Sequence, residues 1–538
     1  MHKEREGAMS SIQPPQRRGL WRAAATLATV VWLGACAGGG TDTSLSLDAK
    51  LARQQARFEA VQQRLVERHA DVSVPLAQRT IARSEWEQWL APAAHEQFTP
   101  EDLAQLQARY DAQVASSRAQ AVQRSRIDLA ALRALPTEQA TPYMRELCTA
   151  IPKGGMLHIH PWGSLTPATY RTLLEQRNPI IDAATLAQTL SDTQGRAWLY
   201  PDELAWLRSL PAQAPYLSWP QADRERLVAL AVLPEGVQPF ERFEAMFRLM
   251  ALAIGGDWHN LEQSYNEFAQ RAVQAGVSYV EFTERIPPEE VPQYEAIAQR
   301  LEARWGLTVR FNNAYFRTAP AAEQDAQVQA MLRAGPSPYI PGIDLLANEG
   351  DTPALEHGQT VYGPVLADVR RQGRPWRRTL HAGELGARHN PRDALLLGAE
   401  RLGHGVRLMD DPLTLHYAIT QAVPIEINLT SNLKLGAVSD IRQHPFLTYL
   451  RLGLPVSLST DDEGMFATDI VKECLLAVAQ TDVTYHELKE MARNSIRTSF
   501  ASDDVKARLL SELAQRFVQW EASAWWGSLP PVLVAKPQ

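Results

Sequence analysis

Residues 377–428 read RRTLHAGELGARHNPRDALLLGAERLGHGVRLMDDPLTLHYAITQAVPIEIN. Three short apolar runs stand in this stretch, RRTLHA, RLGHG and VPIEIN, with helical patterns between them. Short runs of that length set between helical patterns are how the strands of a parallel sheet look. The alternation extends outward to MLHIH (156–160), VSYVEFT (277–283), LTVRFNNAYF (307–316), YIPGIDLL (339–346) and LPVSLST (454–460). Eight such runs separated by helices predict an α/β chain built on a (β/α)8 TIM-type barrel. In that fold, chemistry sits at the C-terminal ends of strands.

Histidines and acids fall at those ends. His158 and His160 end the first run, and two residues two apart on a strand point to the same side. His381 and Glu384 end the fifth run, His404 the sixth, and Asp461-Asp462 the eighth. His158, His160, His381 and Asp461 supply three imidazoles and a carboxylate, a donor set suited to one Zn²⁺ per chain, although iron or cobalt would accept it too. A divalent ion there lowers the pKa of water toward about 7. His404 and Asp462 are placed to orient that water and take up its proton. Glu384, raised in pKa by partial burial, is placed to deliver a proton to the substrate. Singly, each residue has a structural reading; Asp461-Asp462, for example, would serve as the cap of a helix. Their joint occurrence in barrel order favours the catalytic one.

The rest of the chain bounds this reading. At 538 residues, 45% hydrophobic, it can bury a large core. A net charge of -7 and the lack of a long basic run argue against nucleic acid as a partner. Arg17, Arg18 and Arg22 precede the apolar stretch 23–33, which leads into Leu33-Gly34-Ala35-Cys36. That order predicts an export signal over 1–36 ending in a lipobox, with Cys36 lipidated. The expected location is a lipid-anchored form on the periplasmic face of the outer membrane, touching the membrane only through that anchor. Residues 37–44 form a flexible tether, and 45–145 a helical region placing Leu51, Phe58, Val61 and Leu65 on one face. That region reads as a layer on the main domain, with a homodimer arm as the alternative. The (β/α)8 barrel takes 146–538, with a Trp- and Pro-rich insertion over about 165–240 that reads equally as a lid, a dimer contact or packing. Cys148 and Cys474 allow one disulfide, and the absence of C-x-x-C excludes a cysteine-ligated deaminase zinc site.

The motifs H-x-H with a following Gly, H-A-G-E, G-H-G and S-x-x-T-D-D together resemble the adenosine deaminase family of zinc aminohydrolases, over about Pro152 to Phe466. Pro152-Lys153-Gly154-Gly155 and SNLKLGAVSDIRQHP (431–445) look most like its secreted, growth-factor-like branch. The insertion lacks the cysteines that branch carries there. The resemblance implies deamination of adenosine or 2'-deoxyadenosine to inosine and ammonia. By similarity, His158, His160, His381 and Asp461 hold zinc and Glu384 protonates purine N1. Hydroxide positioned by His404 and Asp462 then adds to C6. The sequence departs from the family at three places. Trp162 replaces an aspartate that meets the ribose, Ala347 a glycine whose N–H meets the purine, and Glu463 a proline. Trp162, Gly163 and Ala347 are the expected substrate contacts. A different aminopurine nucleoside or nucleotide is the alternative substrate, and a nucleoside-binding or signalling protein without turnover the alternative class. A two-metal amidohydrolase would want a lysine near the fourth strand, and IDLLANEG has none.

Overall fold

A computed structural model of the chain describes residues 45–190, 198–350 and 353–534. Cys36, the export segment and the tether lie outside the described residues. The eight predicted runs form β1 (Gly154–Ile159), β2 (Val277–Glu284), β3 (Thr308–Phe316), β4 (Gly342–Leu346), β5 (Arg377–Ala382), β6 (Arg401–His404), β7 (Ile425–Ile427) and β8 (Val456–Leu458). They make one parallel sheet in chain order. A parallel bridge between Ile159 and Asp461 joins its two edges. At that seam the Asp461 N–H donates to the His158 carbonyl at 3.1 Å and the His160 N–H to the Asp461 carbonyl at 3.3 Å. The bonds that close the barrel therefore set Asp461 between His158 and His160.

The helices before β1 lie on the barrel's outer helices. Leu47–His69 follows its predicted stripe, with Leu51, Phe58, Val61 and Leu65 all buried. Phe58 stacks on Tyr417 with ring centroids 4.5 Å apart. Arg83 pairs with Asp393 at 2.6 Å and also with Glu356. Cys148 and Cys474 form a disulfide with Cα atoms 5.6 Å apart. It ties the helix entering β1 (Thr137–Ala150) to the helix following β8 (Ile470–Gln480), so it clasps the seam from outside.

Between β1 and β2 the chain makes a run of helices from Pro167 to Gln274 and a two-stranded ribbon, Ile180–Ile181 with Ala214–Pro215. These share an apolar core with β1, β2 and β3. They also reach across the barrel mouth: the Leu233 N–H bonds to the Met465 carbonyl at 2.8 Å and the Gln238 N–H to the Lys434 carbonyl at 2.7 Å. The helix Phe240–Ile254 thus becomes a wall of the cavity at the C-terminal end of the strands. No helix among the described residues is long and apolar enough to cross a membrane.

Candidate active site

The barrel mouth opens into a cavity of about 940 Å³ lined by His160, His381, Glu384, His404, Asp461 and Asp462. Ligand atoms of His158, His160 and His381 lie within 4.8 Å of one another, as do those of His158, His404 and Asp461. His160 Nε2 is 3.2 Å from His381 Nε2 and 3.3 Å from Asp461 Oδ1, and His158 Nε2 is 3.5 Å from the same oxygen.

The outer nitrogens of two of these rings are held from behind. Glu426 Oε2 lies 2.7 Å from His158 Nδ1, and Asp344 Oδ1 lies 3.0 Å from His381 Nδ1. An acceptor at Nδ1 puts the proton there and leaves the Nε2 lone pair facing the cluster. His158 Nε2 is buried and has no hydrogen-bond partner. Burial pushes the His160 imidazole down to about 3, so that ring stands neutral. Three imidazoles and a carboxylate converging on one point fit a divalent metal ion, and the Asp461 and Glu426 carboxylates that raise the His158 imidazole well above its ordinary value mark a place that favours positive charge. Gly403 owes its place to this packing, since a Cβ there would lie 2.8 Å from His158 Cε1.

Behind the rings, Glu426 also accepts from Thr379 Oγ1 at 2.8 Å and from Arg401, which in turn pairs with Glu281. Glu281 and Arg401 are thus both buried and structural, holding Glu426 against His158. Asp344, Glu426 and Glu349 are the functional residues that sequence reasoning missed. Glu349 accepts the backbone N–H groups of Gly383 at 2.9 Å and Glu384 at 3.1 Å, and so fixes the turn that carries Glu384.

Glu384 and His404 face each other, Oε1 to Nε2 at 3.7 Å. Burial, then the carboxylates of Asp461 and Glu349, push the Glu384 carboxyl well above the usual carboxylate range. Burial, with Asp461 next to it, does the same to Asp462, whose two oxygens are buried without a hydrogen-bond partner. Burial, then His158, holds the His404 imidazole well below its ordinary value. His404 and Asp461 have positive φ, 63° and 61°, a backbone region costly for residues other than glycine and found where geometry serves function.

The expected substrate contacts divide. Trp162 and Ala347 line the cavity. Ala347 has φ 85°, so the position has the backbone of a glycine and the methyl of an alanine. Gly163 is not among the lining residues. A Cβ on it would lie 1.6 Å from Asp462 Oδ1, and its carbonyl accepts from Gly464 at 2.9 Å and Met465 at 3.0 Å. Its lack of a side chain makes room for Asp462, not for substrate. Glu463 is buried, bonded to Arg271 and Thr460, each at 3.2 Å.

The sequence profile described as adenosine deaminase matches residues 207–516. The chain belongs to the adenosine deaminase family. An adenosine deaminase of Shewanella halifaxensis is 27% identical over 308 residues, covering 55% of this chain and 89% of that one. An adenosine deaminase of Enterococcus faecalis is 33% identical over 179 residues, 33% of this chain and about half (51%) of that one. An aminodeoxyfutalosine deaminase of Streptomyces coelicolor is 32% identical over 171 residues, 30% of this chain and 44% of that one. Among solved structures, an adenine deaminase of Arthrobacter aurescens superposes with a TM-score of 0.52 at 23% identity, covering 68% of this chain and 99% of that chain. The Arabidopsis N6-mAMP deaminase does so with a TM-score of 0.50 at 21% identity, covering 69% and 99%. Both share the barrel fold.

Proposed function

We propose that this family member hydrolyses the C6–N bond of a 6-aminopurine nucleoside, adenosine or 2'-deoxyadenosine, releasing ammonia and the inosine product. The observation that carries the reading is the meeting of His158, His160, His381 and Asp461 with Glu384, His404 and Asp462 in one cavity. A zinc ion suits the donor set of three imidazoles and one carboxylate; when bound it polarises water so that hydroxide is available near neutral pH.

The protein groups do the rest. Glu384, kept protonated by burial, gives its proton to ring nitrogen N1, and the ring's C6 becomes electrophilic. His404 and Asp462 hold the attacking oxygen in place; a divalent ion held by Asp461 would offset the neighbouring negative charge that raises Asp462, leaving it ionised with two buried acceptor oxygens for the proton. The proton returns to the amino group, which leaves as ammonia. Because the active form carries the Glu384 proton, kcat falls as pH rises through that group's raised pKa.

Nucleoside recognition is supported by Glu284 at the end of β2, where it lines the cavity with Trp162. Its Oε1 accepts from the Arg285 N–H at 3.0 Å, and burial pushes the carboxyl up to about 7, with the polar groups of Trp162 and Tyr265 beside it drawing it back down. A carboxylate there can accept a sugar hydroxyl that Trp162 cannot. The growth-factor-like branch remains part of this proposal, supported by the Pro152–Gly155 and 431–445 stretches. So does an exported chain anchored through Cys36 at the periplasmic face of the outer membrane. Its support is the Arg17–Cys36 pattern and the Cys148–Cys474 disulfide, a bond that persists in oxidising compartments.

The test is to load the chain with zinc and measure ammonia from adenosine, 2'-deoxyadenosine, adenine, AMP and N6-methyladenosine. The nucleosides should be turned over fastest, with loss on chelation and recovery on zinc. No ammonia from any purine would sink the reading, and AMP outpacing adenosine would move it to nucleotides.

A further inference from the structure

A buried chain of hydrogen bonds runs from a helix N-terminus to Nδ1 of His404, the ring nitrogen turned away from the cavity. It begins at the Phe446 N–H, the first of the helix Phe446–Arg451, which bonds to His444 Nδ1 at 3.2 Å. A backbone N–H can only donate, so His444 Nδ1 is unprotonated. Burial pushes that imidazole down to about 3, so it is neutral and its proton sits on Nε2. His444 Nε2 lies 3.1 Å from Asn432 Oδ1. The amide orientation then follows: turned the other way, Asn432 would aim its NH2 at a nitrogen that already carries a proton. With Oδ1 toward His444, Asn432 Nδ2 faces His404 Nδ1 at 3.0 Å, and a second amide nitrogen, Asn428 Nδ2, stands 3.5 Å from the same atom. His404 Nδ1 must therefore accept, and the ring's proton must be on Nε2. All four side chains are buried, so water does not compete for these bonds.

We infer that His444 and Asn432 are positioning residues that lock His404 as the Nε2–H tautomer. This rests on the proposed deaminase reading only for its consequence. The nitrogen facing the cavity, 3.7 Å from Glu384, is a hydrogen-bond donor and not a base. His404 steadies the attacking oxygen by donating to it, and the proton from the O–H bond that breaks goes to the Asp462 carboxylate as the C6–O bond forms.

The tautomer is read directly by nitrogen NMR of the zinc-loaded chain labelled in histidine, with the His404 signals assigned by a His404→Gln variant. The expected result is a protonated Nε2 and a bare Nδ1. A protonated Nδ1 overturns the inference, whether or not the protein turns over any purine. Asn432→Asp gives the functional arm. A carboxylate has no N–H, so it demands the proton on Nδ1 and strips Nε2 of its hydrogen. With full zinc content retained, kcat should fall by roughly 10²–10³-fold, the usual cost of one preorganised donor, with KM within about twofold. His444→Gln, which can restore an N–H to Asn432, should keep most of the rate that His444→Ala loses. Asn432→Asp with unchanged kcat and a protonated Nε2 would also refute the lock. Absence of ammonia from the wild-type chain would instead count against the deaminase reading.

Discussion

Substituting Glu426 by glutamine should weaken metal binding although the residue touches no substrate. Its Oε2 faces His158 Nδ1 at 2.7 Å, and its Oε1 takes hydrogen bonds from Thr379 at 2.8 Å and from Arg401. Every one of those neighbours needs an acceptor, and an amide offers one oxygen. If the Glu426→Gln oxygen turns to His158, the NH2 opposes Arg401 and Thr379. If it turns to Arg401, the NH2 drives the His158 proton onto Nε2 and removes that nitrogen from the ligand set. Loss of such a supporting group weakens a metal site by about 10–100-fold, or about 1.4–2.7 kcal/mol. Breaking a buried ion pair typically costs about 3–5 kcal/mol of fold stability. Arg401 keeps Glu281, so the lower part of that range is expected. Competition against a chromophoric chelator reads the affinity, and calorimetry of metal-free and zinc-loaded protein separates it from stability. Affinity within twofold of wild type would refute the argument that Glu426 sets the His158 tautomer.

Three further outcomes follow from the geometry. Glu284→Gln should cost roughly 3–100-fold in kcat/KM for adenosine, mostly in KM and more above the carboxyl's pKa of about 7 than below it, and little for adenine, because a hydrogen bond contributes about 0.5–1.5 kcal/mol to a neutral group and about 1.5–3 kcal/mol to a charged one. An equal loss with both substrates would show that Glu284 does not read the sugar. Ala347→Gly relieves a Cβ at φ 85°, so the melting temperature should hold or rise. The left-handed penalty of about 1–2 kcal/mol slightly exceeds the entropy that glycine costs, about 0.5–1 kcal/mol. A clear fall in melting temperature would contradict that sign. The Cys148–Cys474 bond closes a separation of 326 residues, for which loop entropy sets a ceiling of about 6 kcal/mol. The Cys148→Ser, Cys474→Ser double variant should lose a few kcal/mol in denaturant titration. An unchanged midpoint, with two reactive thiols in the unreduced wild type, would contradict the clasp.

The barrel was legible because short strand-length runs alternate with helical patterns eight times, and all eight strands lie where their runs stand. The cluster was legible because catalytic groups interrupt those runs at one end only. Asp344 and Glu426 were not, because an acid within a strand gives no sign of which ring lies across the barrel from it. Asn432 was visible only as part of the 431–445 stretch that follows the seventh run. Its role depends on His444, twelve residues on, and on an amide orientation that no spacing encodes. Gly163 misled for a similar reason: what its missing side chain admits is Asp462, nearly 300 residues away. The insertion's composition was equally good for packing or a lid, and its hydrogen bonds to Met465 and Lys434 place it across the mouth.

The central claim is that Glu384 supplies the proton that makes the purine ring electrophilic, and the most direct measurement is ammonia release from adenosine by zinc-loaded wild-type and Glu384→Gln chains. An amide cannot deliver the proton, so kcat should fall by roughly 10²–10⁴-fold or more with bound zinc unchanged. Turnover surviving that substitution would contradict the account.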